Sequence, residues 1–168
     1  KFIGFLTHFA RLKSNIKPKD FDGFMVLLSG PENQRSKFHE GIINSPYFNT
    51  KNLLIYGNNY SVSNLPNHTE NGVVDGTEIG KNFNKKNIVI ARSGYSSIMD
   101  LAYLGAKAIY IPTPGLSEQV YLAKHLASHF NQITIKQEDL KKERPDIFKN
   151  IKPLNIDKKY FEFFKSII

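Results

Sequence analysis

Asn87-Ile88-Val89-Ile90-Ala91-Arg92-Ser93-Gly94-Tyr95-Ser96-Ser97-Ile98-Met99-Asp100-Leu101-Ala102-Tyr103-Leu104-Gly105-Ala106 joins two periodicities through one glycine turn. Ile88, Val89 and Ile90 are β-branched and follow one another without a polar break, as in a strand buried on both faces. Ile98, Leu101, Ala102 and Gly105 recur at i, i+3, i+4 and i+7, so a helix would carry them as one apolar stripe. Between them lie Ser93, Gly94 and Ser96. A strand passing through Ser-Gly into a helix start presents free backbone N–H groups and the positive end of the helix dipole together. Such a turn suits a phosphate.

Working outward, Phe24-Met25-Val26-Leu27-Leu28 reads as a second buried strand. It runs into Ser29-Gly30-Pro31-Glu32-Asn33-Gln34-Arg35 and a helix reaching about Asn44. Ser29 and Glu32 have capping-box spacing, and Pro31 suits the first helical position, where its missing N–H costs nothing. Asn52 to Tyr56 is the next strand, and Gly57 to Glu70 reads as a loop. Val73-Val74 reads as a short strand, followed by a turn or helix to Phe83. Ala108 to Pro112 is a strand, Thr113-Pro114-Gly115-Leu116-Ser117 a tight loop. A helix from about Glu118 to Phe130 places Val120, Ala123, Ala127 and Phe130 along one side. Gln132 to Ile135 reads as a last strand. Asp139 to Lys149 and Lys158 to Ile168 read as helices separated by Pro153. Upstream, Phe2 to Leu6 reads as a strand or extended linker and Arg11 to Gly23 as a loop. The alternation predicts an α/β domain over residues 24–168, a Rossmann-like parallel sheet with helices on both faces, preceded by a linker over residues 1–23.

Composition narrows the function. A chain of 168 residues suits one domain. Without cysteine there is neither a disulfide framework nor a thiolate nucleophile or metal site. No apolar run approaches the roughly 20 residues needed to span a bilayer, and no signal peptide is visible. The sequence opens at Lys1 without methionine and reads as a piece of a longer protein. The formal charge of +8 is spread along the chain, apart from Lys85-Lys86 and a Lys-rich final third. No helix-turn-helix, zinc-finger or ribonucleoprotein signature accompanies it, so nucleic acid is not the expected partner.

In doubly wound sheets ligands bind outside the carboxyl ends of the strands. The loops at Ser29-Gly30-Pro31, Ser93-Gly94-Tyr95-Ser96 and Thr113-Pro114-Gly115 all fall at such ends. Asp100 follows Ser96 by four residues, on the same helix face and roughly 5–6 Å further along. A carboxylate there suits the paired hydroxyls of a ribose. The alternative is a capping box of Ser97 with Asp100, or an acid that merely complements the dipole. Gln119 can donate and accept, which suits sugar hydroxyls; the alternative is an exposed helix glutamine. Arg35 or Arg92 would add positive charge near a phosphate, or pair with a neighbouring acid. There is no Walker A motif, no Gly-x-Gly-x-x-Gly and no Gly-x-Ser-x-Gly elbow. His125 and His129 lie four apart but lack the glutamate of a metalloprotease helix.

Arg92 to Leu101, with Ile111-Pro112-Thr113-Pro114-Gly115 and Glu118-Gln119-Val120-Tyr121-Leu122-Ala123, resembles the C-terminal domain of family 28 glycosyltransferases. These are GT-B enzymes, and MurG of peptidoglycan synthesis is the familiar member. Ser29 to Arg35 resembles the version in predicted Bacteroidetes-type glycosyltransferases, which implies a bacterial protein. The resemblance covers roughly Phe24 to Ile135. It implies a nucleotide-sugar donor domain, one half of a GT-B fold, with UDP as the expected nucleotide and N-acetylhexosamine among the sugars. Asp100 matches the acid that binds the donor ribose. Ser93, Gly94, Tyr95 and Ser96 match the diphosphate loop, Gln119 a donor-sugar contact, and Gly30 the first glycine loop, with Ser29, Pro31, Gly115 and Glu118 beside these positions. Val73-Val74 lies near the position of the uracil pocket. The first loop reads Ser-Gly-Pro where MurG has a doubled glycine, and the ribose acid is Asp rather than Glu.

The resemblance further implies hexosyl transfer without a metal or cofactor. The acceptor, a glycan or lipid-linked sugar, and the general base would be supplied by an N-terminal domain, so this chain by itself would bind donor without turnover. A cytoplasmic location, peripheral at the inner membrane face, is the corresponding expectation. The donor half of a sugar-nucleotide epimerase, or a non-catalytic nucleotide-binding module, are the alternatives.

Overall fold

A computed structural model describes residues 21–58, 66–142, 148 and 150–154. The expectations for Phe2–Leu6, most of Arg11–Gly23, the later part of Asp139–Lys149 and Lys158–Ile168 lie outside the described residues.

Among the described residues six strands form one sheet: β1 (Phe24–Leu27), β2 (Leu53–Tyr56), β3 (His68–Asn71), β4 (Ile88–Ala91), β5 (Lys107–Tyr110) and β6 (Ile133–Thr134). Their order is β3-β2-β1-β4-β5-β6, and every pairing between them is parallel. This is the doubly wound order, whose direction of progression reverses between β1 and β4. Phe24 aligns with Leu53 on one side and with Ile88 on the other, so β1 is hydrogen-bonded along both edges.

Among the described residues four α-helices cover the sheet: α1 (Glu32–Ile43), α2 (Gly76–Asn82), α3 (Tyr95–Tyr103) and α4 (Ser117–Phe130). The period of two along each strand divides the core. Met25, Leu54, Val89, Ala91, Ala108 and Tyr110 pack with Ile98, Leu101 and Ala102 of α3 and Leu122 and Leu126 of α4. Phe24, Val26, Leu53, Ile55, Ile90 and Ile109 pack with Phe38 and Ile42 of α1. Both faces are therefore buried, which is why the strands read as continuous apolar runs.

The sequence expectations need correction in several places. All of β3 but Asn71 lies within the stretch read as loop, because a polar run, His-Thr-Glu-Asn, can pair at a sheet edge without an apolar face on each side. Glu70 in that strand is fixed to α1 by His39, whose Nε2 stands 3.1 Å from its Oε1. Val73 and Val74 are not a strand; they follow β3 as a loop, with Val73 65% exposed. Pro31 occupies the N-cap rather than the first helical position, and no side chain caps α1. Glu32 instead accepts from Ser36 Oγ at 2.7 Å, so the Ser29–Glu32 capping box does not form. The buried positions of α4 are Leu122, Ala123 and Leu126, while Ala127 is exposed. Gln137–Lys141 forms a 3-10 turn where an α-helix was expected from Asp139.

Gly105 does not extend the α3 stripe; it ends the helix. Its φ is +61°, its N–H donates to Ala102 O at 3.0 Å, and Ala106 N–H reaches Leu101 O at 2.9 Å. This pair of bonds is the Schellman closure, which favours glycine at the left-handed residue.

Candidate functional site

Each described α-helix follows a strand: α2 follows β3, and the other three, α1, α3 and α4, follow β1, β4 and β5. None of the three has a side-chain cap. By contrast Asp75 caps α2, accepting from Glu78 N–H at 2.9 Å. The α1 and α3 starts thus lie at the end of the sheet where the strand order reverses, and neither has a side-chain cap.

A cavity of about 330 Å³ opens beside these helix ends. Leu27, Leu28 and Ser29 leave β1 to form one wall, Tyr56 and Gly57 the exit of β2, and Val73, Val74 and Ile79 the segment through α2. Arg35 enters from α1, and Ser97, Asp100 and Leu101 from α3. One side is therefore aliphatic and aromatic, while the helix-facing side carries an arginine, a carboxylate and serine hydroxyls. Asp100 sits six residues into α3, well past Gly94, the N-cap. The capping-box alternative for Ser97 and Asp100 is excluded, because neither occupies the cap position.

Arg35 stands 3.6 Å from the Glu32 carboxylate, and its Nε is buried without a hydrogen-bond partner among the described residues. Burial pushes the Tyr56 phenol upward from its ordinary range, against a smaller opposing effect of its hydrogen bond with Asn82.

Of the residues singled out in the sequence, Ser29, Arg35, Val74 and Asp100 line this cavity. Gly30, exposed with φ +95°, and Pro31 lie at the start of α1 beside Ser29. Gly94 caps α3, and Tyr95 and exposed Ser96 form its first turn. Ser93 is fully buried, and its Oγ donates to Gln119 O at 2.9 Å, so its hydroxyl holds α4 to the β4 exit. Gln119 uses Oε1 to accept from Thr113 N–H at 2.9 Å, while its Nε2 lies 3.7 Å from where a Cβ on Gly94 would stand. Glu118 and Gly115 are exposed at the α4 start and the preceding loop.

Arg92 points elsewhere. It is 2% exposed, turned to the α1 face, and its guanidinium lies 4.0 Å from the centre of the Phe38 ring. It does not line the cavity, and the ion pair with a neighbouring acid is not made: its hydrogen-bond partners are uncharged oxygens. The sequence reading also missed Tyr56, Gly57, Ile79 and Ser97. For Ser97 a signal was present, since it lies three residues before Asp100 and so shares its helix face.

Among the described residues no three His, Asp or Glu side chains are gathered as a metal would require. The rings of His125 and His129 stack on each other at 4.1 Å. No described helix is long and apolar enough to cross a membrane.

A search of curated proteins returns no match. The family model for the glycosyltransferase family 28 C-terminal domain matches residues 33–163, most of the chain. With the doubly wound sheet and its crevice, this match establishes that the chain belongs to the glycosyltransferase family 28 C-terminal domain family.

Proposed function

We propose that this chain binds the donor of a hexosyl transfer, a UDP-linked sugar with N-acetylhexosamines among the candidates. The observation that carries the reading is the shared cavity of Asp100 and Arg35, flanked by the uncapped starts of α1 and α3. In this reading Asp100 accepts hydrogen bonds from the ribose hydroxyls, and the aliphatic wall with Val74 and Tyr56 receives the base. The diphosphate lies across the helix starts at Gly30 and at Gly94 to Ser96, with Arg35 beside it. As the sugar–phosphate bond breaks, charge accumulates on the departing diphosphate. Backbone N–H groups and two helix dipoles, already oriented, stabilise that charge without reorganising. Gln119 stands next to Gly94, and in this reading it contacts the sugar. The acceptor and the base that deprotonates it come from outside the described residues.

Calorimetric titration tests this. UDP is expected to bind saturably, with ADP and GDP weaker by about tenfold, or about 1.4 kcal/mol. Equal binding of the three nucleotides would remove the uridine assignment. Absence of binding by all three to folded protein would overturn the donor reading.

A further inference from the structure

Arg92 carries a buried charge that the proposed chemistry does not use directly. Its Nη1 donates to the carbonyl oxygens of Ile111 and Pro112, each at 3.3 Å. Its Nη2 donates to Gln34 O at 3.2 Å and to Gln137 Oε1 at 2.8 Å. Its Nε is buried without a partner among the described residues. All four acceptors are neutral. Taking a guanidinium out of water is costly, and neutral oxygens recover that cost less completely than a carboxylate does. Burial accordingly lowers the affinity of this group for its proton, to a pKa of about 10. A well-packed apolar side chain is often as stable at such a position, so packing alone gives little reason for an arginine.

The acceptors supply a reason through their locations. Gln34 is in the first turn of α1, Ile111 and Pro112 leave β5, and Gln137 begins the 3-10 turn that packs on α1. Arg92 itself leaves β4, two residues before the N-cap Gly94. One planar fork therefore ties the β4 exit to the first turn of α1, to the β5 exit and to the start of the 3-10 turn. The following residue, Ser93, is fixed in turn to Gln119 O.

We infer that Arg92 is a positioning residue of the donor site, fixing the spacing of the two helix starts between which the diphosphate lies. The inference rests on the donor reading above. A lysine at this position keeps a charge but has no fork with which to hold carbonyls on separate elements. It follows that charge conservation does not rescue the site, and that the defect falls on the diphosphate rather than on the nucleoside.

The experiment compares UDP with uridine as probes, on the unaltered protein, on Arg92→Lys and on Gln137→Ala. Arg92→Lys is expected to weaken UDP about tenfold and uridine by less than about twofold. Gln137→Ala removes the shortest of the four bonds from a half-buried surface position. It is expected to weaken UDP about threefold, again sparing uridine. An Arg92→Lys protein that binds UDP like the unaltered one overturns the inference, as does a loss shared equally by UDP and uridine. Should Arg92→Lys fail to fold, Gln137→Ala decides by the same comparison, and unchanged UDP affinity overturns the inference. If the unaltered protein binds uridine but not UDP, or neither, the donor reading itself falls, and the assignment of Arg92 with it.

Discussion

Replacing Asp100 by alanine is expected to weaken UDP binding about 100-fold, because two hydrogen bonds to a charged acceptor are lost together. Asp100 is half-buried on the cavity side of α3, while its neighbours Met99 and Leu101 carry the packing against the sheet. Removing its carboxylate therefore opens no hole in the core. The thermal midpoint is expected to move by no more than about 2 °C, as for substitutions away from packed positions. Calorimetry with UDP and a melting curve on the same preparation check both halves. Asn at this position keeps one acceptor and the shape, and is expected to recover about half of the lost binding energy. Native affinity in the alanine protein would place the ribose elsewhere.

The largest effect on stability is expected from Gly57→Ala. Gly57 has φ +92°, and a Cβ built on it would lie 2.4 Å from Leu28 O. Its N–H is directed at Asn71 O and Gly72 O, at 3.1 and 3.0 Å, so the residue is held from the β3 side as well. The obstacle is backbone, and no rotamer change can relieve it. We expect a loss of about 3–5 kcal/mol, at the upper end of single substitutions, where strain adds to steric displacement. For a chain of this length that corresponds to a fall of about 10 °C in midpoint. Gly115→Ala supplies the control: φ is +82° but nothing lies within 4 Å of the new Cβ. Its cost should be the conformational part alone, about 1 kcal/mol. Urea unfolding of the two variants measures the difference, and equal midpoints would contradict the close approach of the β1 and β2 exits.

β1, β2, β4 and β5 could be read from their apolar runs because helices or 3-10 turns cover both sides of the sheet. β3 could not, since its inward contacts are polar and one of them, Glu70 to His39, spans elements far apart in sequence. The helix starts at Gly30 and Gly94 were legible because a strand, a small-residue turn and a helix are all local signals. The cavity wall was not, for Tyr56, Gly57 and Ile79 become neighbours of Asp100 only through the strand order. Arg92 shows the same limit differently. Val89, Ile90 and Ala91 alternate between the two faces of the sheet, and continuing that alternation sends Arg92 to the α1 side. Proximity in sequence to Ser93 and Gly94 suggested a phosphate contact; the pleat assigns its side chain to the opposite layer.

The family match begins at Asn33, after β1 has already left the sheet. Yet β1 is the strand to which both halves of the sheet are stitched. The span that the family model matches and the span that completes the sheet therefore have different boundaries. Excising the recognisable part would leave β2 and β4 each with a raw edge of unpaired backbone, the kind of surface on which chains join one another instead of closing on themselves.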